Sequence, residues 1–229
     1  MILNRVYQKY LKWQFFIPED FKSASGIHID LGSGNQIRNP LNFANKFGSD
    51  YKLPSKQVAN SEFFIFDLTR NFPFKNDSIA SFSAFDFIEH VPRWEREPNA
   101  GMRFPFVFFM NEINRCLMPG GVFLAVTPAY PSPAAFQDPT HVNVITEETI
   151  KYFAELGHAR NLDYEYSGNF KIVHQSWVYS DCVYTSYLQR PNKRVLYFAR
   201  LILFLFKIFV NIYVRKNTPT HLLWILQKI

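Results

Sequence analysis

A short apolar run that stops at an acid and a pair of glycines constrains this chain more than any other feature. Ile27-His28-Ile29-Asp30-Leu31 has the length of one buried strand, and Gly32-Ser33-Gly34 follows at once. Glycines at such a turn let main chain approach a ligand closely and present amides at the start of the next segment. Runs at 47–50, 62–66 and 79–84 repeat the pattern and end at or just before Asp50, Asp67 and Asp86. A fifth run, 122–127, follows Pro119-Gly120-Gly121, and a segment of helical length, 104–117, precedes it. Strands alternating with helical segments predict an α/β fold around a parallel sheet.

After Thr127 the texture changes. Residues 128–145 are rich in Pro and small residues and read as an ordered loop. Residues 146–156 read as a helix, with Thr146 as N-cap and Glu147 and Glu148 in the first turn. The stretches 163–167 and 170–179 flank Gly168-Asn169 and read as a hairpin. An antiparallel pair closing five parallel strands gives a Rossmann-like, mostly parallel seven-stranded sheet with helices on both faces. The expected division is an N-terminal helical extension (1–25), a central domain (26–182) and a C-terminal helical extension, apolar and basic (183–229).

Ligands of open α/β sheets bind in the crevice beyond the strand carboxyl ends. Asp30, Asp50, Asp67 and Asp86 all lie there by this reading, with Gly32 and Gly34 beside the first. The third glycine of the dinucleotide fingerprint is missing, since Gln36 and Ile37 occupy that region. A pyrophosphate needs such close approach. Asp50 suits ribose hydroxyls and Asp67 an exocyclic amine, so the pattern fits an adenosyl group without a pyrophosphate better than NAD.

At this point the chain resembles a family, the class I S-adenosylmethionine-dependent methyltransferases of the methyltransferase type 11 or 12 kind. The matching stretches begin with Ile29-Asp30-Leu31-Gly32-Ser33-Gly34, then Asp67-Leu68 with Phe72-Pro73-Phe74 and Asp77-Ser78. They continue with Phe87-Ile88-Glu89-His90-Val91 and Leu117-Met118-Pro119-Gly120-Gly121, over roughly residues 26–180. The resemblance implies S-adenosyl-L-methionine as cofactor. It sets Asp30, Gly32, Ser33 and Gly34 around the amino-acid moiety, Asp50 at the ribose, and Asp67 with Leu68 at the adenine. Phe85 and Asp86, at the end of the fourth run, complete the expected cofactor set.

The sulfonium is already an activated electrophile, so transfer needs in-line positioning, helped by a base when the acceptor is a hydroxyl. His141, in Gln137-Asp138-Pro139-Thr140-His141, is the candidate base, with Asp138 to orient it; a loop-fixing histidine is the plainer reading. Tyr130 and Phe136 are candidates to line an acceptor pocket or simply to pack the loop. Glu89 and His90 read as closing a helix, and His28 as a satisfied core residue. The Asp-Pro-Thr-His-Val string resembles a segment of methyltransferases of cell-surface polysaccharide and lipid-linked sugar pathways, which implies a sugar, glycolipid or other small lipophilic acceptor. The alternative is a methyltransferase-fold binding module without turnover, at a membrane or in a complex.

With 2 Cys and no Cys/His cluster at metal spacing, the chain reads as cytoplasmic, without a disulfide framework or a metal site. The net charge of +6 is compatible with nucleic acid or an anionic membrane. Its densest stretch, 193–216, interleaves Lys193, Arg194, Arg200, Lys207, Arg215 and Lys216 with large apolar residues, which favours a membrane surface over nucleic acid. Lys193, Arg200 and Lys207 share one helical face. Such a helix suits either the membrane interface or packing on the domain, and spanning would bury two cations. A second short apolar helix is expected within 218–229.

Overall fold

The apolar runs of the first half become strands almost where the sequence puts them. The computed structural model describes residues 25–53, 62–97, 101–154, 164–178 and 219–229. Strand β1 is Ile27–Leu31, β2 Asn45–Asp50, β3 Glu62–Ile65 and β4 Ile79–Phe85. Then come β5 (Glu95–Glu97), β6 (Gly101–Arg103), helix α1 (Pro105–Cys116), β7 (Leu117–Pro128), β8 (Phe170–Val178) and β9 (His221–Lys228). Seven of the strands form one sheet in the order β3-β2-β1-β4-β7-β9-β8, in which β9 alone runs antiparallel to its neighbours.

Burial follows from the two-residue period of a strand. Along β4, β7 and β9, Phe82, Ala84, Phe123, Ala125, Leu222, Trp224 and Leu226 enter one core. Ala80, Phe85, Val122, Leu124, Val126, Leu223 and Ile225 enter the other. A sheet buried on both faces has near-continuous apolar strands, which is why these runs look unpatterned in the sequence. Helix α1 covers the first face. Pro105 sits at its start, and Phe106, Phe109, Met110, Ile113 and Cys116 recur at three- and four-residue spacing, all buried. Truncating Phe109 to Ala would cost roughly 3–5 kcal/mol, the usual range for a fully buried phenylalanine.

Four expectations change. The partner of β8 is β9, not 163–167: Phe170 faces Lys228 and Val178 faces His221, with residues 164–169 a loop. The stretch expected as a short C-terminal helix is therefore a central strand, because Leu222-Leu223-Trp224-Ile225-Leu226 is apolar on both faces and carries no period to separate strand from helix. The helix expected over 146–156 is a single 3-10 turn, Thr149–Tyr152; Thr149 turns its hydroxyl back onto the Thr146 main-chain amide. Helices were expected on both faces, and among the described residues α1 is the one α-helix. Residues 1–24 of the expected N-terminal helix and all of the basic apolar segment 193–216 lie outside the described residues. Among the described residues no helix is long and apolar enough to cross a membrane.

The hairpin β5–β6 is an addition the sequence reading does not contain. Its Glu97 pairs with Arg70 at 2.6 Å and with Arg103 at 3.2 Å, and Arg103 donates to the Thr69 carbonyl. Those bonds fasten the hairpin to the turn after β3.

Candidate active site

Strand order reverses between the parallel neighbours β1 and β4, since β2 and β3 lie to one side and β7 to the other. A crevice opens at such a switch point. Gly32 stands in it with φ +64°, and a Cβ there would come 2.1 Å from Phe87 Cδ2. Both the backbone and the neighbour demand glycine. Gly34 also has positive φ, but nothing lies within 4 Å of where its Cβ would be, so this end of the turn faces open space. Its amide donates to Asp50 Oδ2 at 3.2 Å, and Asp50 Oδ1 accepts from the Tyr51 amide at 2.7 Å. The turn and the acid at the end of β2 are thus brought together. Ser33 donates its amide to the Ser49 carbonyl at 3.1 Å, while its buried hydroxyl has no hydrogen-bond partner.

Asp30 is turned away from that space. Its carboxylate accepts the Arg38 amide at 2.7 Å and the Ser83 hydroxyl at 2.5 Å, and the residue is fully buried. Burial pushes its pKa up to about 7, against the two hydrogen bonds that favour the charged form. His28, two residues back on the same face, donates from Nε2 to the Arg38 carbonyl at 2.9 Å and accepts from Ser81 at Nδ1, 3.2 Å away. A carbonyl only accepts, so the tautomer follows. Burial holds this imidazole near pKa 4, neutral in the core as its sequence context suggests. Asp30 therefore closes the loop 32–38 from beneath, and the surface offered to a ligand is the glycine turn and Asp50.

The other expected cofactor residues divide between rim and core. Asp67 is exposed and accepts the Thr69 amide and hydroxyl at 2.8 and 2.7 Å, which shapes the turn after β3. Leu68 and Phe85 are buried, one in each core, so only their main chain can meet a ligand. Asp86 caps the end of β4 with φ +48°, an unusual conformation for an acid, and its amide donates to the Val126 carbonyl.

No family model matches the chain, and no curated protein matches its sequence. Solved structures do match. One is a SAM-dependent methyltransferase from Archaeoglobus fulgidus, 12% identical, covering 96% of this chain and 94% of that one with a TM-score of 0.54. Another, from Methanosarcina mazei, is 13% identical over 93% of this chain and 98% of that one, with a TM-score of 0.49. The chain has the class I S-adenosylmethionine-dependent methyltransferase fold.

On the other side of the crevice this methyltransferase fold carries a second polar group, built on the ends of β4 and β7. Glu89, in the 3-10 turn Ile88–His90, is 1% exposed. Its Oε2 accepts the Thr127 hydroxyl at 2.8 Å, and its Oε1 has no hydrogen bond. Burial, with Asp86 nearby, pushes its pKa up to about 8. His141 Nε2 lies 3.9 Å from Glu89 Oε1, and its Nδ1 donates to the Ala135 carbonyl at 3.1 Å. The rings of His90 and His141 meet edge-on at 4.9 Å.

Asp138 does not orient His141, because its carboxylate accepts the Thr140 amide and hydroxyl at 2.8 and 2.7 Å. Those bonds hold its carboxyl below the usual range. Thr140 in turn receives His90, whose Nδ1 lies 3.2 Å from the carbonyl and 3.1 Å from the hydroxyl. The pair expected as Asp138–His141 is replaced by Asp138–Thr140–His90 and Glu89–His141.

His221 is a further residue that the sequence reading misses. As the first residue of the antiparallel strand it arrives at the carboxyl edge of the others, opposite Pro128, with Nε2 3.1 Å from Asp86 Oδ1. Tyr130 and Phe136 stand exposed on the loop, rings 6.5 Å apart. A cavity of about 500 Å³ lies between Arg93, Trp94, Phe104, Phe106, Tyr152 and Tyr164, and shares no lining residue with the glycine turn. Arg93 donates to Asn143 at 2.7 Å, and the Asn143 amide donates to the Glu89 carbonyl at 2.9 Å, so this cavity and the polar group share a wall.

Proposed function

We propose that this protein binds S-adenosyl-L-methionine and transfers its methyl group to a hydroxyl of a small acceptor with an apolar or ring-shaped body. The observation that carries the reading is the pairing of Gly34 with Asp50 at the switch point, where a turn amide and a strand-end acid face open space. Asp50 offers an acceptor for ribose hydroxyls, the glycine turn admits the amino-acid end, and Asp67 stands toward the adenine end. None of these needs a phosphate. The likeness to methyltransferases of known fold supports the same cofactor.

The acceptor side is a mixed surface. The polar group around Glu89 and His141 suits the reacting hydroxyl, and the aromatic walls of the 500 Å³ cavity suit the body of a lipophilic or glycosidic acceptor. Methyl transfer from a sulfonium depends on alignment, so a buried wall that fixes the acceptor accounts for much of the rate. A cytoplasmic protein with 193–216 laid on an anionic membrane surface would meet lipid-linked acceptors directly.

Incubation with methyl-labelled cofactor and a lysate separated into lipid, glycan, nucleic-acid and protein fractions tests the acceptor. Label is expected in the lipid or glycan fraction. Label confined to nucleic acid or protein would contradict this reading.

A further inference from the structure

We propose that Glu89, His90 and His141 form a binding site for one divalent transition-metal ion at the carboxyl edge of the sheet. One ligating atom from each residue lies within 4.8 Å of the other two. Two ligands about 2.1 Å from a tetrahedral ion stand about 3.4 Å apart, so the Glu89–His141 pair need close by only about half an ångström. The two donors adjacent in sequence sit on one 3-10 turn, and the third comes from a loop fifty residues on, which conceals the group from any spacing rule.

The groups that would orient the two imidazoles are already in place. His141 directs Nδ1 to the Ala135 carbonyl and His90 directs Nδ1 to the Thr140 carbonyl. Each neutral ring then keeps its proton on Nδ1 and its lone pair on Nε2, the arrangement that outer carbonyls impose on metal-bound histidines. Asp138 in turn fixes Thr140 by accepting its amide and hydroxyl.

The remaining observation points to a ligand. Glu89 is 1% exposed, one of its oxygens is held by Thr127, and the other has no hydrogen bond. An orphaned buried carboxylate oxygen is costly. A chance grouping of polar side chains does not account for an orphan oxygen set beside two histidines with their Nδ1 atoms engaged. A cation does.

Two imidazoles and one carboxylate favour Zn²⁺, Co²⁺, Mn²⁺ or Fe²⁺ over Mg²⁺ or Ca²⁺, which prefer oxygen-only shells. Three protein ligands leave coordination positions open, and partly exposed His90 opens the group to solvent. The role of the ion rests on the methyltransferase reading: the open positions take the acceptor hydroxyl. The ion lowers its pKa, and the proton leaves to solvent. The oxygen then forms the O–C bond as the C–S bond breaks, and sulfur keeps that electron pair as a neutral thioether. His141 acts as a ligand, since a nitrogen bound to the ion cannot also take the proton.

Full-length protein treated with a chelator and titrated with Co²⁺ should bind one equivalent with visible absorption. Glu89→Gln and His141→Ala should each weaken Co²⁺ binding at least about 100-fold, while His174→Ala, on β8, leaves it unchanged. Melting curves separate loss of ion from loss of fold, and His90→Ala, at a partly exposed position, serves if a buried variant does not fold. No Co²⁺ bound to wild type, or undiminished binding in the folded ligand variants, overturns the site. Parallel titration with S-adenosyl-L-homocysteine keeps the two claims apart. Co²⁺ bound at these residues without the nucleoside would overturn the methyltransferase reading alone, and the reverse would overturn the metal site alone.

Discussion

Two buried polar groups flank the same crevice and are built on opposite principles. Beneath the glycine turn, Asp30 is matched by Ser83 and the Arg38 amide, and His28 by Ser81 and the Arg38 carbonyl. Across the crevice, Glu89 keeps one oxygen without a hydrogen bond. A satisfied network stabilises a fold, whereas a network left one partner short reserves a place for something else. On the proposed reading the first group holds the crevice open and the second acts in it. Sequence reading assigns Asp30 to the ligand and Glu89 to the scaffold; in the structure both Asp30 oxygens are hydrogen-bonded within the protein, and it is Glu89 that keeps an oxygen without a hydrogen bond.

The sharpest way to break the contrast is to remove an acid from each group. Asp30→Ala strands the Arg38 amide and the Ser83 hydroxyl, each lost partner costing roughly 1–3 kcal/mol. A fall in melting temperature of roughly 4–24 °C is expected for a domain of this size, with ligand binding lost as a consequence of the disordered turn. Glu89→Gln should do the opposite. Stability changes by less than about 1 kcal/mol because the glutamine amide oxygen still accepts the Thr127 hydroxyl, while methyl transfer falls at least about 100-fold. A Glu89→Gln variant as unstable as Asp30→Ala would erase the distinction.

A pH series sharpens it further. Asp30 has a pKa of about 7 in the folded protein and an ordinary carboxylate value when unfolded. Between about pH 4 and 7 the folded state holds the extra proton, so this group makes stability fall as pH rises. His28 works against it: with a folded pKa near 4, it makes stability rise between about pH 4 and 6.5. Asp30→Asn should remove only the first effect, so denaturant unfolding should show the variant gaining on wild type as pH rises from 4 to 7. A constant difference across that range would mean Asp30 is not held protonated by burial. The smallest effect belongs to Asp138→Ala, which loosens Thr140 and through it His90. Transfer should slow about tenfold or less, with Co²⁺ affinity falling in step and melting temperature unmoved.

The parallel half of the sheet is legible because each strand is punctuated. Ile27–Leu31 is bounded by Gly26 and Gly32, and Ile79–Phe85 ends one residue before the next strand-end acid. β9 is not, because five successive buried apolar residues fit strand and helix alike until a neighbour on each side decides. The meeting of the glycine turn with the acid at the end of β2 was legible, because Gly34 and Asp50 are close in sequence and touch in space. The group around Glu89 was not, since Glu89 meets Thr127 and His141 only after the chain has crossed the sheet. The one local hint was two donors, Glu89 and His90, adjacent just past a strand-end acid.

Calorimetric titration of the full-length protein with S-adenosyl-L-homocysteine asks most directly whether the crevice holds an adenosyl cofactor. One saturable site is expected in wild type, weakened about 10- to 100-fold in a folded Asp50→Ala variant, as befits the loss of charge-assisted hydrogen bonds to ribose. No saturable heat in wild type, or affinity untouched by Asp50→Ala, would contradict it.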